Sequence, residues 1–199
     1  MQIKTTLSAL AASLALLSTG AQASIISFDS LEQSGTSFTS LSSYTEDGFQ
    51  ITSTSNNFAS AQQGNTGWYF GSASLFNNSS GATTTLAKVS GGTFALNSID
   101  LAPASKFWGL GATISFVGQL SGGGTVNQSF TVDDGYFFQT FTFSGFSNLN
   151  SVSWVQASPY HQFDNLVMDA AEVPEPSTAL LLGLALTGLG LARRKVSAK

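Results

Sequence analysis

Residues 24–172 predict an all-β fold, an antiparallel β-sandwich of jelly-roll type, and three observations carry that expectation. Apolar and polar residues alternate through several short runs, the two-residue period of a half-buried strand. Gly, Ser, Thr and Asn interrupt the chain every few residues, as turn residues do between strands. No stretch of the region shows a convincing helical period. Roughly nine or ten strands in this length fit two packed sheets, with a closed barrel as the alternative.

The elements follow in order. Strands are expected at 25–31, 48–54, 67–76 and 83–89. Between Thr93 and Leu101 the parity changes, with Phe94 and Leu96 in one phase and Ile99 and Leu101 in the other. A β-bulge at Asn97 or Ser98 reconciles the two phases. Leu110, Ala112, Ile114 and Phe116 share one face of a strand at 109–117. Val126, Phe130 and Val132 repeat the pattern, and Phe137, Gln139, Phe141 and Phe143 repeat it again. Gly122-Gly123-Gly124 and Asp133-Asp134-Gly135 accept positive φ, so 107–143 is expected to be a three-stranded meander with tight turns. Strands at 151–156 and 161–169 close the series. No internal repeat is evident, which argues against a propeller or solenoid.

Composition narrows the function. Residues 24–172 contain two lysines against ten acids, a net charge of −8. A surface of that sign repels phosphate backbones and anionic headgroups, so no nucleic-acid partner is expected. The absence of cysteine excludes disulfides, thiolate catalysis and cysteine–zinc sites. Aromatic residues make up 12% of the chain, sixteen of them Phe, which supplies the apolar mass a folded core needs.

The two ends have their own logic. Lys4, an apolar run from Leu7 to Leu17 and the small-residue box Ala21-Gln22-Ala23 form a secretory signal peptide over 1–23, with cleavage before Ser24. Signal peptidase is therefore an expected partner, and the mature protein leaves the cytoplasm. At the other end, 173–199 holds Val173-Pro174-Glu175-Pro176, an apolar stretch from Thr178 to Ala192, and Arg193-Arg194-Lys195. The two prolines stop any element arriving from the domain and prepare a new helix start at Ser177. The apolar stretch is a short transmembrane helix of about 24 Å, marginal against a hydrocarbon core of about 30 Å. Its basic flank belongs on the cytoplasmic side, which places the acidic domain outside.

Pro174-Glu175-Pro176, the short Leu/Gly/Ala-rich helix and Arg193-Arg194 together resemble the PEP-CTERM sorting signal of Gram-negative bacteria. The resemblance implies recognition by an exosortase, a transient inner-membrane intermediate, cleavage near Pro-Glu-Pro and delivery to the cell surface or extracellular matrix. Members of the family commonly accompany exopolysaccharide export and biofilm formation. Phe94 to Leu101 and Phe163-Asp164-Asn165-Leu166-Val167 also resemble segments of exported PEP-CTERM proteins, whose sandwich is similar to galactose-binding-like and carbohydrate-binding-module folds.

Few residues are equipped for catalysis. His161 is the only histidine, no Gly-x-Ser-x-Gly elbow is present, and no catalytic residue is assigned. Asp133 and Asp134 are adjacent in a turn, where neighbouring side chains diverge. Structural calcium is the one cofactor that the acids suit, because hard cations take carboxylate and carbonyl oxygens. Its candidate ligands are Asp29, Glu46, Asp47 and Asp164, and the bland reading is that Asp47-Gly48 is a turn while Asp29 and Asp164 satisfy backbone amides. Sugar binding needs aromatic faces, and Trp68, Tyr69, Trp108 and Tyr160 lie beside Gly, Pro or turn residues where a ring could be exposed. Trp154 shares parity with Val152 and belongs to the core. The leading expectation is an exported, non-enzymatic surface or matrix protein that binds or organises exopolysaccharide. A matrix polysaccharide hydrolase or lyase and a self-associating structural adhesin are the alternatives.

Overall fold

The computed structural model describes residues 23–107 and 111–169. They form β1 (Ser24–Ile26), β2 (Phe38–Leu41), β3 (Ser43–Glu46), β4 (Phe49–Ser53), β5 (Phe58–Ala61), β6 (Phe76–Asn77) and β7 (Thr83–Lys88). The series continues with β8 (Leu96–Pro103), β9 (Ala112–Leu120), β10 (Thr125–Val132), β11 (Gln139–Thr142), β12 (Leu149–Val155) and β13 (His161–Met168). A single 3-10 turn, Asp29–Leu31, follows β1. The signal peptide through Gln22 and the whole C-terminal segment from Val173 lie outside the described residues. No helix among the described residues is long and apolar enough to cross a membrane, and the span expected at 178–192 lies outside them.

Every strand pairing is antiparallel, and the strands fall into three sheets. The orders are β1-β13-β8-β11, β10-β9-β12-β7-β4-β3 and β2-β5-β6. Each sheet has two ends, so the fold is an open sandwich rather than a closed barrel.

Alternation explains the packing. On β9, Ala112, Ile114, Phe116 and Gly118 are buried while Thr113 and Ser115 face water, the two-residue period of a sheet with one wet face. Large rings from the six-stranded sheet meet rings from the four-stranded one. Trp154 of β12 meets Phe163 of β13 edge-on with centroids 5.0 Å apart, and Phe130 of β10 meets Phe141 of β11 at 4.9 Å. Phe116 joins the same layer against Trp154 at 5.3 Å and Phe143 at 5.1 Å. Each fully buried ring contributes about 1.5–3 kcal/mol of transfer free energy, which is what holds two sheets of modest polarity together. Gly118 fits only because it lacks a side chain: a Cβ there would sit 2.7 Å from Leu149 and 2.8 Å from Val126.

The expected bulge is present. Val167 pairs with Ser98 and Met168 with Leu96, so Asn97 is the extra residue that lets Leu96 and Ile99 both face inward. A compensating extra residue on β13 lies between Asp164 and Val167, where Asn165 takes φ 45.

Three expectations need correction. The meander at 107–143 is only half right: β9 and β10 form a hairpin, but Asp133-Asp134-Gly135 leads across to the opposite sheet, where β11 pairs with β8. Phe130 and Phe141 are the reason, since both are packed only if their strands face each other across the core. The strand expected at 67–76 is mostly turn, because Trp68 and Tyr69 N–H groups both fold back to the Asn65 carbonyl; only Phe76 enters a strand. The first expected strand stops at Ile26, and Phe28 adopts φ 57 before the 3-10 turn.

Candidate functional site

Phe163 and Leu101 point into the core, so their neighbours Asp164 and Asp100 project from the other face of the four-stranded sheet. These two acids are direct cross-strand partners, and Thr140 on β11 stands opposite Asp100 on the other side. Thr140 Oγ1 donates to Asp100 Oδ1, and Asn165 Nδ2 donates to Asp100 Oδ2 at 2.9 Å. The Asn165 backbone N–H donates to Asp164 Oδ1 at 2.7 Å, so the left-handed bulge residue braces both carboxylates.

A neighbouring segment buries half of this row. Leu75 bridges to Phe163, which lays residues 72–75 along β13. Ser72 Oγ then donates to Asp164 Oδ2 at 2.6 Å, and Ser74 Oγ donates to the Gln162 side chain. Asp164 is 1% exposed as a result. Burial pushes its carboxyl up to about 7; the Ser72 hydroxyl and Asn165 amide oppose that rise, and the Asp100 and Asp29 charges add to it. Each of the four oxygens of the pair accepts a hydrogen bond from a protein donor, so the row ties β8, β11, β13 and the 72–75 segment together.

The expected calcium ligands do not come together. Asp47 and Gly48, at φ 48 and 78, form the two-residue turn between β3 and β4, whose residues Glu46 and Phe49 pair. Glu46 Oε2 accepts the Ser27 and Phe28 backbone N–H groups at 3.0 and 3.2 Å and the Tyr44 hydroxyl at 3.2 Å. Asp29 is exposed in the 3-10 turn, and Asp164 is enclosed as described. Among the described residues no three acid or histidine side chains are grouped as metal ligands would be.

The expected aromatic ligands are mostly packed. Trp68 stacks on Phe76 at 5.3 Å and meets Phe38 edge-on. Tyr69 donates its hydroxyl to Glu32 Oε1 at 2.8 Å; burial first, then that bond and the Glu32 charge, raise its pKa to about 12. Tyr160 is half-buried, with its backbone carbonyl accepting the Ala104 N–H. Trp108 lies outside the described residues. Trp154 is core, as its parity requires. His161 is fully buried at the start of β13, with Nδ1 3.3 Å from the Gln156 amide nitrogen, and burial lowers its pKa to about 3.

The exposed rings are others. Phe107 is 76% exposed, Phe137 57% and Tyr136 49%. Contacts draw them to one end of the four-stranded sheet. Phe107 lies against Gly67, and the preceding Lys106 places its ammonium 5.3 Å from the Phe70 ring centroid. Phe70 meets Phe138 edge-on at 6.2 Å, and Tyr136 and Phe137 immediately precede Phe138. The sequence places Phe107 and Phe137 at strand starts and gives no sign of their exposure. The one available signal is position: both sit beside turn residues, at the ends of alternating runs rather than inside them.

The family model of the PEP-CTERM protein-sorting motif matches residues 172–195, the stretch that holds Pro174-Glu175-Pro176 and Arg193-Arg194. The chain is a PEP-CTERM domain-containing protein. Such a motif marks a protein for export and passage through the membrane, with exosortase as the processing partner. No curated protein matches the chain in sequence. Among solved structures, a variant of a family 29 carbohydrate-binding module aligns at TM-score 0.43 with 12% identity, covering 78% of this chain and 99% of that one. Another structure of a family 29 module aligns at 0.34 with 11% identity, covering 79% and 97%. A further variant, complexed with mannohexaose, aligns at 0.30 with 13% identity, covering 75% and 92%. Likeness at these scores carries no argument about what the PEP-CTERM protein binds.

Proposed function

We propose that this PEP-CTERM protein is an exported, non-enzymatic matrix protein that binds exopolysaccharide through the exposed rings Phe107, Tyr136 and Phe137. One observation carries the binding half: Phe107, Tyr136 and Phe137 are the most exposed rings among the described residues, ahead of Phe38 at 37%. Flat apolar faces of this kind stack on the C–H side of a pyranose, and the acidic domain disfavours phosphate-bearing partners. The sorting motif supports delivery to the surface or matrix, where such a polymer is met. The test is calorimetry of the protein with the producing cells' own exopolysaccharide, with calcium and with chelator, beside a Phe107→Ala/Phe137→Ala variant. Saturable binding that weakens at least tenfold in the variant, at an unchanged unfolding midpoint, is expected. Equal affinity of parent and variant would sink the aromatic site.

A second reading, a polysaccharide hydrolase, takes support from the cross-strand Asp100–Asp164 pair and the raised Asp164 pKa. The enclosure of Asp164 beneath Ser72 weighs against it. Shortening of the polymer during the same titration would favour it.

A further inference from the structure

We infer that β10 pairs edge to edge with β10 of a second copy, extending the six-stranded sheet across a two-fold axis. Natural sheet edges are guarded by shortness, charge, proline or a bulge. Guarding is visible at the other ends of the two main sheets: β1 has three residues, β11 has four, and β3 has four with Glu46 at its end. β10 has none of these devices. It runs eight residues, Thr125 to Val132, contains no charge and no proline, and pairs with β9 through eight consecutive partners without a register shift. Its other side has no strand partner among the described residues.

The surroundings fit a second copy better than a charged partner. Residues 107–132 contain no charged side chain, in a domain whose 24–172 stretch otherwise carries −8. Two such domains repel one another at long range, and an uncharged edge is where they approach at least cost. The outer row of β10 is Thr125, Asn127, Ser129 and Thr131, all exposed. Thr131 and Ser129 already make hydroxyl pairs with Thr113 and Ser115 of β9, at 3.0 and 2.9 Å. A two-fold axis normal to the sheet keeps like faces together, so residues of equal parity meet. Hydroxyl and amide side chains then continue that ladder outward, and no like charges oppose one another. The axis falls at Gln128 or Ser129, which are the two registers that preserve parity near the middle of the strand.

This pairing is independent of the glycan reading, since Phe107, Tyr136 and Phe137 lie outside β10. The chain has no native cysteine, which makes crosslinking clean. Full-length protein carrying Ser129→Cys tests the register centred on Ser129, and a mixture of Asn127→Cys and Ser129→Cys chains tests the one centred on Gln128. Thr45→Cys, on β3 at the opposite end of the same sheet, is the control. Under mild oxidation, disulfide-linked dimer is expected at least tenfold faster from one of the β10 arrangements than from Thr45→Cys. The rate should rise with salt, as screening removes the repulsion between acidic domains, and fall in an Asn127→Lys/Thr131→Lys background that retains its unfolding midpoint. Crosslinking no faster than the control in both registers overturns the inference. Cysteines on β10 that resist both crosslinking and alkylation would show the edge covered by the same chain, which overturns it as well.

Discussion

Replacing Asp164 by Asn should give the domain a pH dependence of stability that its parent lacks. The Asp164 carboxyl is raised from 3.8 to about 7, so the native state holds this proton more tightly than the unfolded chain. Its linkage makes stability fall as pH rises from about 4 to 7, by about 1.4 kcal/mol per pH unit. His161, on the same strand, acts in the opposite sense. Its pKa is lowered from 6.5 to about 3, so the unfolded chain takes up a proton that the buried imidazole refuses. That linkage makes stability rise with pH between about 3 and 6.5, at the same slope per unit. Between about pH 4 and 6.5 the two effects cancel, and the parent should be nearly flat. Asp164→Asn removes one of them and keeps an acceptor for the Asn165 N–H, so its stability should climb by about 3 kcal/mol across that window. His161→Gln should show a fall of similar size. Urea midpoints at closely spaced pH values, with unchanged m-values, measure both slopes. An Asp164→Asn slope indistinguishable from the parent's would refute the assignment of a buried, proton-holding carboxyl to this position.

Two further outcomes follow from packing and hydrogen bonding. Glu46→Ala removes the acceptor shared by the Ser27 and Phe28 amides and the Tyr44 hydroxyl, and urea unfolding should show a loss of about 1–3 kcal/mol, with partial recovery in Glu46→Gln. Gly118→Ala forces a methyl group against Leu149 and Val126, and the same measurement should show about 1–3 kcal/mol of destabilisation although the backbone there is not in the left-handed region.

The parts of this fold that the sequence reveals are those whose burial is periodic. β9 buries every second residue from Ala112 to Gly118, β12 buries Val152 and Trp154 on one parity, and the Asn97 bulge is visible as a broken parity between Leu96 and Ile99. β2, β3 and β5 are hidden for the complementary reason. Phe-Thr-Ser-Leu, Ser-Tyr-Thr-Glu and Phe-Ala-Ser-Ala are each four residues long, with small or hydroxyl side chains between their few large ones, so their strand character comes from the neighbours they pair with. β5 is buried at all four positions, and small residues are what such enclosure admits. The crossing from β10 to β11 is likewise invisible locally. Asp133-Asp134-Gly135 has hairpin chemistry, and only the requirement that Phe130 and Phe141 face each other sends the chain to the other sheet.

The candidate site was less legible because residue type does not distinguish a packed ring from a displayed one. Trp68 and Tyr69 have the composition of a sugar platform, yet Phe76, Phe38 and Glu32 hold them in place. Phe107 and Phe137 have the composition of core, yet they stand in water. The difference lies in the linkers. Residues 133–138 cross from one sheet to the other, and a chain making that passage cannot keep every side chain turned inward. Phe138 is retained by Phe70, while Tyr136 and Phe137 are left outside. Exposed apolar rings carry a standing cost in solubility, and one Tyr or Phe could be replaced by Ser without disturbing a single strand pairing. Tyr136 and Phe137 lie in the linker that leaves β10 and Phe107 in the one that leads into β9, so linkers carry the rings suited to a polymer while β10 itself offers a bare strand suited to another copy.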